Sequence, residues 1–209
     1  MIFTQEQITN FSLTKKYPIY KLFNSNKGYV GESEEYDKDT WVISGIINDL
    51  TLLNFDILSN KLIDILKETN MHKNIIELIY NKSIEELDFI ELYIKLLNKI
   101  IIEFPHYTNL IILKCEIEFN NYSHYKWLNP VKFTKLEATK LERKVLGNIH
   151  FIVAMYTNGI ISRIIIDQMI LILLKDTGDE TIEILSELIT LLKRTDFDIN
   201  KYKLQLLGN

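Results

Sequence analysis

Four histidines, one cysteine and a single Asp-Thr-Gly tripeptide are the residues of this 209-residue chain whose types could do chemistry. His72, His106, His124 and His150 stand apart, with no HExxH and no CxxC around them. The spacing that puts two ligands on one helix face is therefore missing, and no metal site is expected. His150 lies in an apolar helical stretch, where a hydrogen-bonded structural role is expected. There is no GxxxxGK[ST] and no GxGxxG, so no phosphate cradle is visible. Asp176-Thr177-Gly178 has the form of a catalytic carboxylate site that works as a proton-sharing pair. It occurs once, Lys175 precedes it where an apolar residue is wanted, and Asp179 follows where a small one is wanted. No catalytic constellation results, so neither enzyme activity nor a cofactor is expected.

The elements that would position these residues are helical. Residues 1–39 mix aromatics, Gly, Ser, Asn and charge without sustained periodicity, and a mostly irregular N-terminal arm is expected there, with a short helix at each end of residues 4–23. From Trp41 onward, in a domain taken as residues 40–209, apolar residues recur at helical spacing. Three capping boxes, Ser or Thr followed three residues later by Glu, mark helix starts. Ser83 with Glu86 opens a helix with a core face of Leu87, Ile90, Ile94, Leu97 and Ile101. Thr134 with Glu137 opens a second, through VLGNIHFIVAMY. Thr177 with Glu180 opens a third, with an apolar stripe of Ile182, Leu185, Leu188, Ile189 and Leu192. Further helices are expected near 41–49, 54–68, 71–82, 107–119, 160–175 and 199–207. The first helices of successive pairs begin near 41, 72 and 107, a period close to that of two-helix repeats, in which each pair buries its apolar face by stacking on the next. The expected fold is all-α, an α-solenoid of about four to five antiparallel pairs; a compact helix bundle is the alternative.

Composition narrows the class. The chain is 47% hydrophobic and 25% charged, ordinary for a folded protein. Seven Gly and three Pro are too few for an all-β protein full of tight turns. A lone Cys115 excludes an intramolecular disulfide framework and points to a reducing, cytoplasmic setting. The start, MIFTQEQITNF, lacks a basic region followed by an apolar core, so no signal peptide is expected. The most apolar window, residues 160–174, is interrupted by Arg163, Asp167 and Gln168 and is too short to cross a bilayer. A net charge of −4 argues against a protein that grips nucleic acid over its whole surface. Abundant Ile and Asn, with Lys outnumbering Arg 21 to 3, indicate an AT-rich coding genome.

The ordered series of helical segments resembles the middle domain of eukaryotic translation initiation factor 4G. ISGIINDLTLLNFDILSNKLIDIL is similar to that domain's opening, and IIELIYNKSIEELDFIELYIKLLNKI to its next pair. YTNLIILKCEIEFNNY is similar to the first helix of the third pair. LERKVLGNIHFIVAMYTNGIISRIII matches the family pattern of basic residues, then Leu-Gly-Asn-Ile-Lys-Phe-Ile, then a Leu-rich helix. The tail DETIEILSELITLLKRTDFDINKYK continues the series without the family's usual Gly before the last pair. The resemblance covers about residues 41–207.

It implies a HEAT-repeat scaffold without an active site of its own, which clamps the two lobes of a DEAD-box helicase, initiation factor 4A. By position, the family's helicase-contacting segment falls on Leu62, Ile63, Asp64 and Ile65; the alternative is that Leu62 and Ile65 fill the core. In the arm, Tyr17-Pro18-Ile19-Tyr20-Lys21-Leu22-Phe23 fits Tyr-x4-Leu-Φ, the peptide by which such proteins bind the cap-binding initiation factor 4E. A short helix begun at Pro18 sets Leu22 and Phe23 one turn on, with Tyr17 anchoring the entry. The alternative is an aromatic cluster packing the arm onto the first repeat. Residues 120–144 interleave Lys126, Lys132, Lys135, Lys140, Arg143 and Lys144 with Tyr122, Tyr125, Trp127 and Phe133. Those cations could track the phosphates of mRNA while aromatics stack bases; a solvated loop and helix face would read the same way. The expected assembly is a monomer within a heteromeric complex, with no membrane partner. An arm and middle domain in AT-rich code point to a large DNA virus or a reduced eukaryotic parasite. An RNA-processing or mRNA-decay adaptor of the same fold, binding a different DEAD-box helicase and RNA, is the second expectation.

Overall fold

Apolar residues at spacings of three and four give eight α-helices and no strand among the residues that the computed structural model describes, 38–68, 72–121 and 133–202. Every described residue after Lys38 belongs to one compact unit, Asp39–Asn209. Tyr17, Leu22, Phe23, Lys126 and Lys132 lie outside the described residues.

The helices are α1 (Lys38–Asn48), α2 (Phe55–Glu68), α3 (His72–Glu85), α4 (Ile90–Glu103), α5 (Tyr107–Asn120), α6 (Lys135–Thr157), α7 (Arg163–Leu173) and α8 (Asp179–Leu192). A 3-10 turn, Leu87–Phe89, precedes α4, and another, Asn200–Tyr202, lies at the start of the last helix expected near 199–207, the rest of which lies outside the described residues. The fold is the all-helical repeat architecture that the periodicity implies, with α1, α3 and α5 starting close to the expected positions.

The 23-residue α6 is the centre, packing against α3, α4, α5, α7 and α8. Its start is the capping box read from sequence: Glu137 N–H donates to Thr134 Oγ1 (3.3 Å), and Thr134 N–H donates to Glu137 Oε2 (2.8 Å). Glu137 titrates below the usual carboxylate range because the Thr134 backbone N–H and hydroxyl both hold its charged form. At the other end Asn158 and Gly159 close the helix. Gly159, at φ 72°, donates to Tyr156 O, and Ile160 reaches back to Met155 O. A side chain at that left-handed position would be strained, which is why Gly ends the helix there.

Two expected caps are corrected. Ser83 opens no helix; it is buried near the end of α3, where its hydroxyl donates to Ile79 O (2.7 Å). A serine can satisfy its hydroxyl on the preceding turn, so the helix runs on to Glu85. Glu86 instead accepts from Lys82 Nζ (2.6 Å) and from the Tyr93 hydroxyl, and these bonds hold its carboxyl below its usual range. The buried set of α4 is consequently broader than the expected stripe. It comprises Leu92, Tyr93, Ile94, Leu96, Leu97 and Ile100, whereas Leu87 is exposed and Ile90 and Ile101 are half-buried. Thr177 does not cap α8, whose N-cap is Gly178. Asp176 does the tying, accepting from Gly178 N–H (3.0 Å) and the Thr181 hydroxyl (2.9 Å). The α8 stripe turns accordingly to Thr181, Ile184, Leu188 and Leu192, leaving Ile182 exposed.

Candidate partner-binding surfaces

The domain's interior ties several helices together around one close approach. Gly147 of α6 approaches α3 so closely that a Cβ there would lie 2.5 Å from Ile84 O. Beside it the buried Asn148 accepts from the Tyr80 hydroxyl (3.1 Å) and donates to Cys115 O (3.1 Å), so one side chain ties α3, α5 and α6. The Phe151 ring meets Tyr80 edge-on. Around this tie runs a chain of charge. Lys114 Nζ lies 3.1 Å from both Glu77 Oε1 and Glu118 Oε1, and Lys144 Nζ lies 2.8 Å from Glu118 Oε2. Burial pushes the Glu118 carboxyl up, but the hydrogen bond and charge of Lys144 and those of Lys114 outweigh it, and the group titrates below its usual range. Burial pushes the Cys115 thiol well above its ordinary value, which makes it unreactive in the folded state. His150 holds the structural role expected for it: its Nε2 is 2.7 Å from Glu187 Oε1, joining α6 to α8.

On α2 the helical period separates the four candidate helicase-contacting residues. Leu62 and Ile63 are buried, Ile65 is half-buried and Asp64 is exposed. Leu62 and Ile63 therefore serve the core, and only Asp64, with the edge of Ile65, belongs to the surface. Asp64 shares its face with the exposed Ile57, Lys61 and Glu68, one to two turns away on either side. At the start of this face the chain turns through Thr51–Asn54. Asn54 Oδ1 accepts from Thr51 N–H (2.7 Å) and Asn54 Nδ2 donates to Asp49 O (2.8 Å), a turn that leaves Leu52 and Leu53 in solvent. Sequence reading missed Leu52, Leu53 and Ile57. The available signal was two consecutive leucines inside a connecting turn, where no core face needs them.

Of the candidate cationic residues in the described part, Lys135, Lys140 and Arg143 are exposed along the first half of α6, and Lys144 is half-buried against Glu118. The structure thus brings three of them onto a solvent-facing helical segment and gives the fourth to the interior charge chain. Among the described residues no cluster of His, Cys, Asp and Glu is arranged to hold a metal, and no helix is long and apolar enough to cross a membrane.

The described helices therefore form a stack tied through the central α6, with exposed polar and apolar side chains on its outer faces. The MIF4G domain family matches residues 42–207, and the chain belongs to that family. Among solved structures, the MIF4G domain of Trypanosoma cruzi translation initiation factor EIF4G5 is similar, with 17% identity and a TM-score of 0.47 over 75% of this chain and 86% of that one. No curated protein sequence matches the chain.

Proposed function

We propose that this chain is a translation-initiation scaffold that bridges the cap-binding initiation factor 4E and the DEAD-box helicase initiation factor 4A. It speeds the helicase by holding its two lobes in one relative arrangement. The observation that carries this reading is a MIF4G domain over residues 42–207 preceded by the Tyr17…Leu22-Phe23 motif. A scaffold acts on a two-lobed partner by differential binding: it favours the arrangement that fits its surface and shifts the population by that difference in affinity. Rigidity is what makes the difference large, and the tie through Gly147 and Asn148 supplies it. In this reading Asp64, with Ile57 and Lys61 on the same face, meets the helicase. Lys135, Lys140 and Arg143, together with Lys126 and Lys132, meet mRNA, and Tyr17, Leu22 and Phe23 meet initiation factor 4E in the cytoplasm.

The test is binding of the purified full chain, and of its Leu22→Ala/Phe23→Ala variant, to initiation factors 4E and 4A. The expected result is that the wild-type chain binds both, while the variant binds 4A and no longer binds 4E. Helicase binding without any 4E binding would replace this reading with an RNA-processing or decay adaptor. Binding to neither would overturn both.

A further inference from the structure

Two surfaces of the folded domain complement each other in charge, and each carries exposed apolar side chains. The first is an edge. Lys95 Nζ stands 4.0 Å from the Phe55 ring centroid, Lys99 Nζ 2.8 Å from Ser59 Oγ, and Lys67 Nζ 3.3 Å from Glu103 Oε2. Residue numbers rise together along these pairs, so α2 and α4 run parallel and the turns that enter them open at the same edge. That edge carries Leu53 (99% exposed), Leu52 (76%), Phe89 (55%) and Leu87 (38%). Exposed carboxylates surround them: Asp49, Asp56, Glu85, Asp88 and Glu91. Among the described residues none of these five forms an ion pair, although Glu91 accepts a hydrogen bond from Asn158. Lys95 is the one exposed cation beside them among the described residues, so apolar side chains of this size, exposed and rimmed by mostly negative charge, mark an interaction surface for a basic, apolar partner.

The second surface has that chemistry. In α6 the fully buried residues begin only at Val145; before it exposed and half-buried positions alternate, and Lys144 already meets Glu118. Leu136, Lys140 and Arg143 lie at i, i+4 and i+7 on the exposed face of this first half, with Leu136 66% exposed. Lys135, Lys140 and Arg143 form no ion pair among the described residues. A leucine flanked by two cations on an exposed helix face is what the acidic, leucine- and phenylalanine-bearing edge lacks.

We propose that the chain associates with a second copy of itself, the exposed Leu136–Arg143 face of α6 of one copy docking on the Leu53–Phe89 edge of the other. The pairing is steered by charge and closed by apolar contact, so it is weakened by salt and by loss of either sign. Because the docked face includes Lys140 and Arg143, a copy engaged in this way has those cations withdrawn from any other anionic ligand.

The experiment is sedimentation equilibrium of the full chain over rising concentration. The expected result is a weight-average mass climbing above 24.7 kDa as concentration rises, with the rise reduced at about 1 M NaCl, where the Debye length is only about 3 Å. Asp56→Lys/Asp88→Lys and, separately, Lys140→Glu/Arg143→Glu each abolish the rise. Mixing the two variants restores it, because the unaltered helix of the first meets the unaltered edge of the second, and the reversed edge of the first meets the reversed helix of the second. All four positions are exposed, and circular dichroism checks that both variants keep their helix content. A wild-type mass that stays at one chain throughout overturns the proposal, as does a rise that neither charge reversal changes. A mixture that fails to associate when both separate reversals have abolished association also overturns it.

Discussion

Gly147 and Ile84 meet backbone to backbone: a Cβ on Gly147 would stand 2.5 Å from the Ile84 carbonyl oxygen and 3.0 Å from its Cβ. The obstacle is helix backbone, which no rotamer change can move aside. Gly in a helix interior ordinarily costs about 1 kcal/mol relative to Ala. Here it is the residue that lets α6 and α3 approach. Gly147→Ala is therefore expected to destabilise, by about 1–3 kcal/mol as overpacking, despite its gain in helix propensity. For a domain of this size that lowers Tm by roughly 2–4 °C per kcal/mol. Thermal denaturation of the variant checks this, and an unchanged or raised Tm would contradict the close approach.

Asn148→Leu probes the adjoining tie. The leucine fills similar space but removes the bonds that Asn148 makes to the Tyr80 hydroxyl and the Cys115 carbonyl, both at 3.1 Å. A lost buried hydrogen bond costs about 1 kcal/mol. The double variant Tyr80→Phe/Asn148→Leu should recover part of the loss, because the hydroxyl that lost its Asn148 bond is then gone. Urea denaturation of both chains reads the difference, and equal midpoints would show that the Tyr80 bond contributes nothing.

These two residues also show how far the sequence could be read. The Leu-Gly-Asn run was legible as part of a family-like series, and the Thr134–Glu137 cap as a helix start, since both partners of a cap lie within four residues. What Gly147 and Asn148 do was not legible. The hydrogen-bond partners of Asn148 lie 33 and 68 residues away in sequence, and only the folded chain brings them together. Ser83 and Thr177 had the same local pattern as Thr134, yet tertiary packing kept one inside a helix and gave the other's role to Asp176. For the candidate surface, the helical segment holding Leu62–Ile65 could be found from sequence. Which of its residues face solvent depended on where α4 covers α2.

The interior charge chain depends on each member. Removing the Lys114 ammonium by Lys114→Met leaves Glu118, whose side chain is 10% exposed, with Lys144 as its remaining cation. Breaking a buried pair from one side costs about 3 kcal/mol. The surface pair Lys67–Glu103, both partners about half exposed, should cost under about 1 kcal/mol when broken by Lys67→Met. Chemical denaturation of the two variants in parallel tests the ranking, and equal losses would contradict the burial argument.

Acid sensitivity arises from this chain and from Glu86, which Lys82 and Tyr93 hold. The folded-state pKa values of Glu118 and Glu86 are depressed relative to the unfolded chain. Their contribution is therefore fully present above the unfolded carboxylate value of about 4.3 and is lost as pH falls through their lower folded values. Unfolding midpoints in urea should be flat with respect to these groups above about pH 5 and should fall below about pH 4. Glu118→Gln should shallow that fall. A variant with the same acid slope as wild type would show that Glu118 is not held ionised by Lys144 and Lys114.

The central claim is that a rigid MIF4G domain acts on a helicase through an outer face that includes Asp64. The most direct measurement is the RNA-dependent ATPase rate of purified initiation factor 4A, with the full chain added and with its Asp64→Lys variant added. The wild-type chain is predicted to raise the rate. The variant, whose fold is unaltered because position 64 is exposed, is predicted to raise it little or not at all. A helicase rate that the wild-type chain leaves unchanged would contradict the claim.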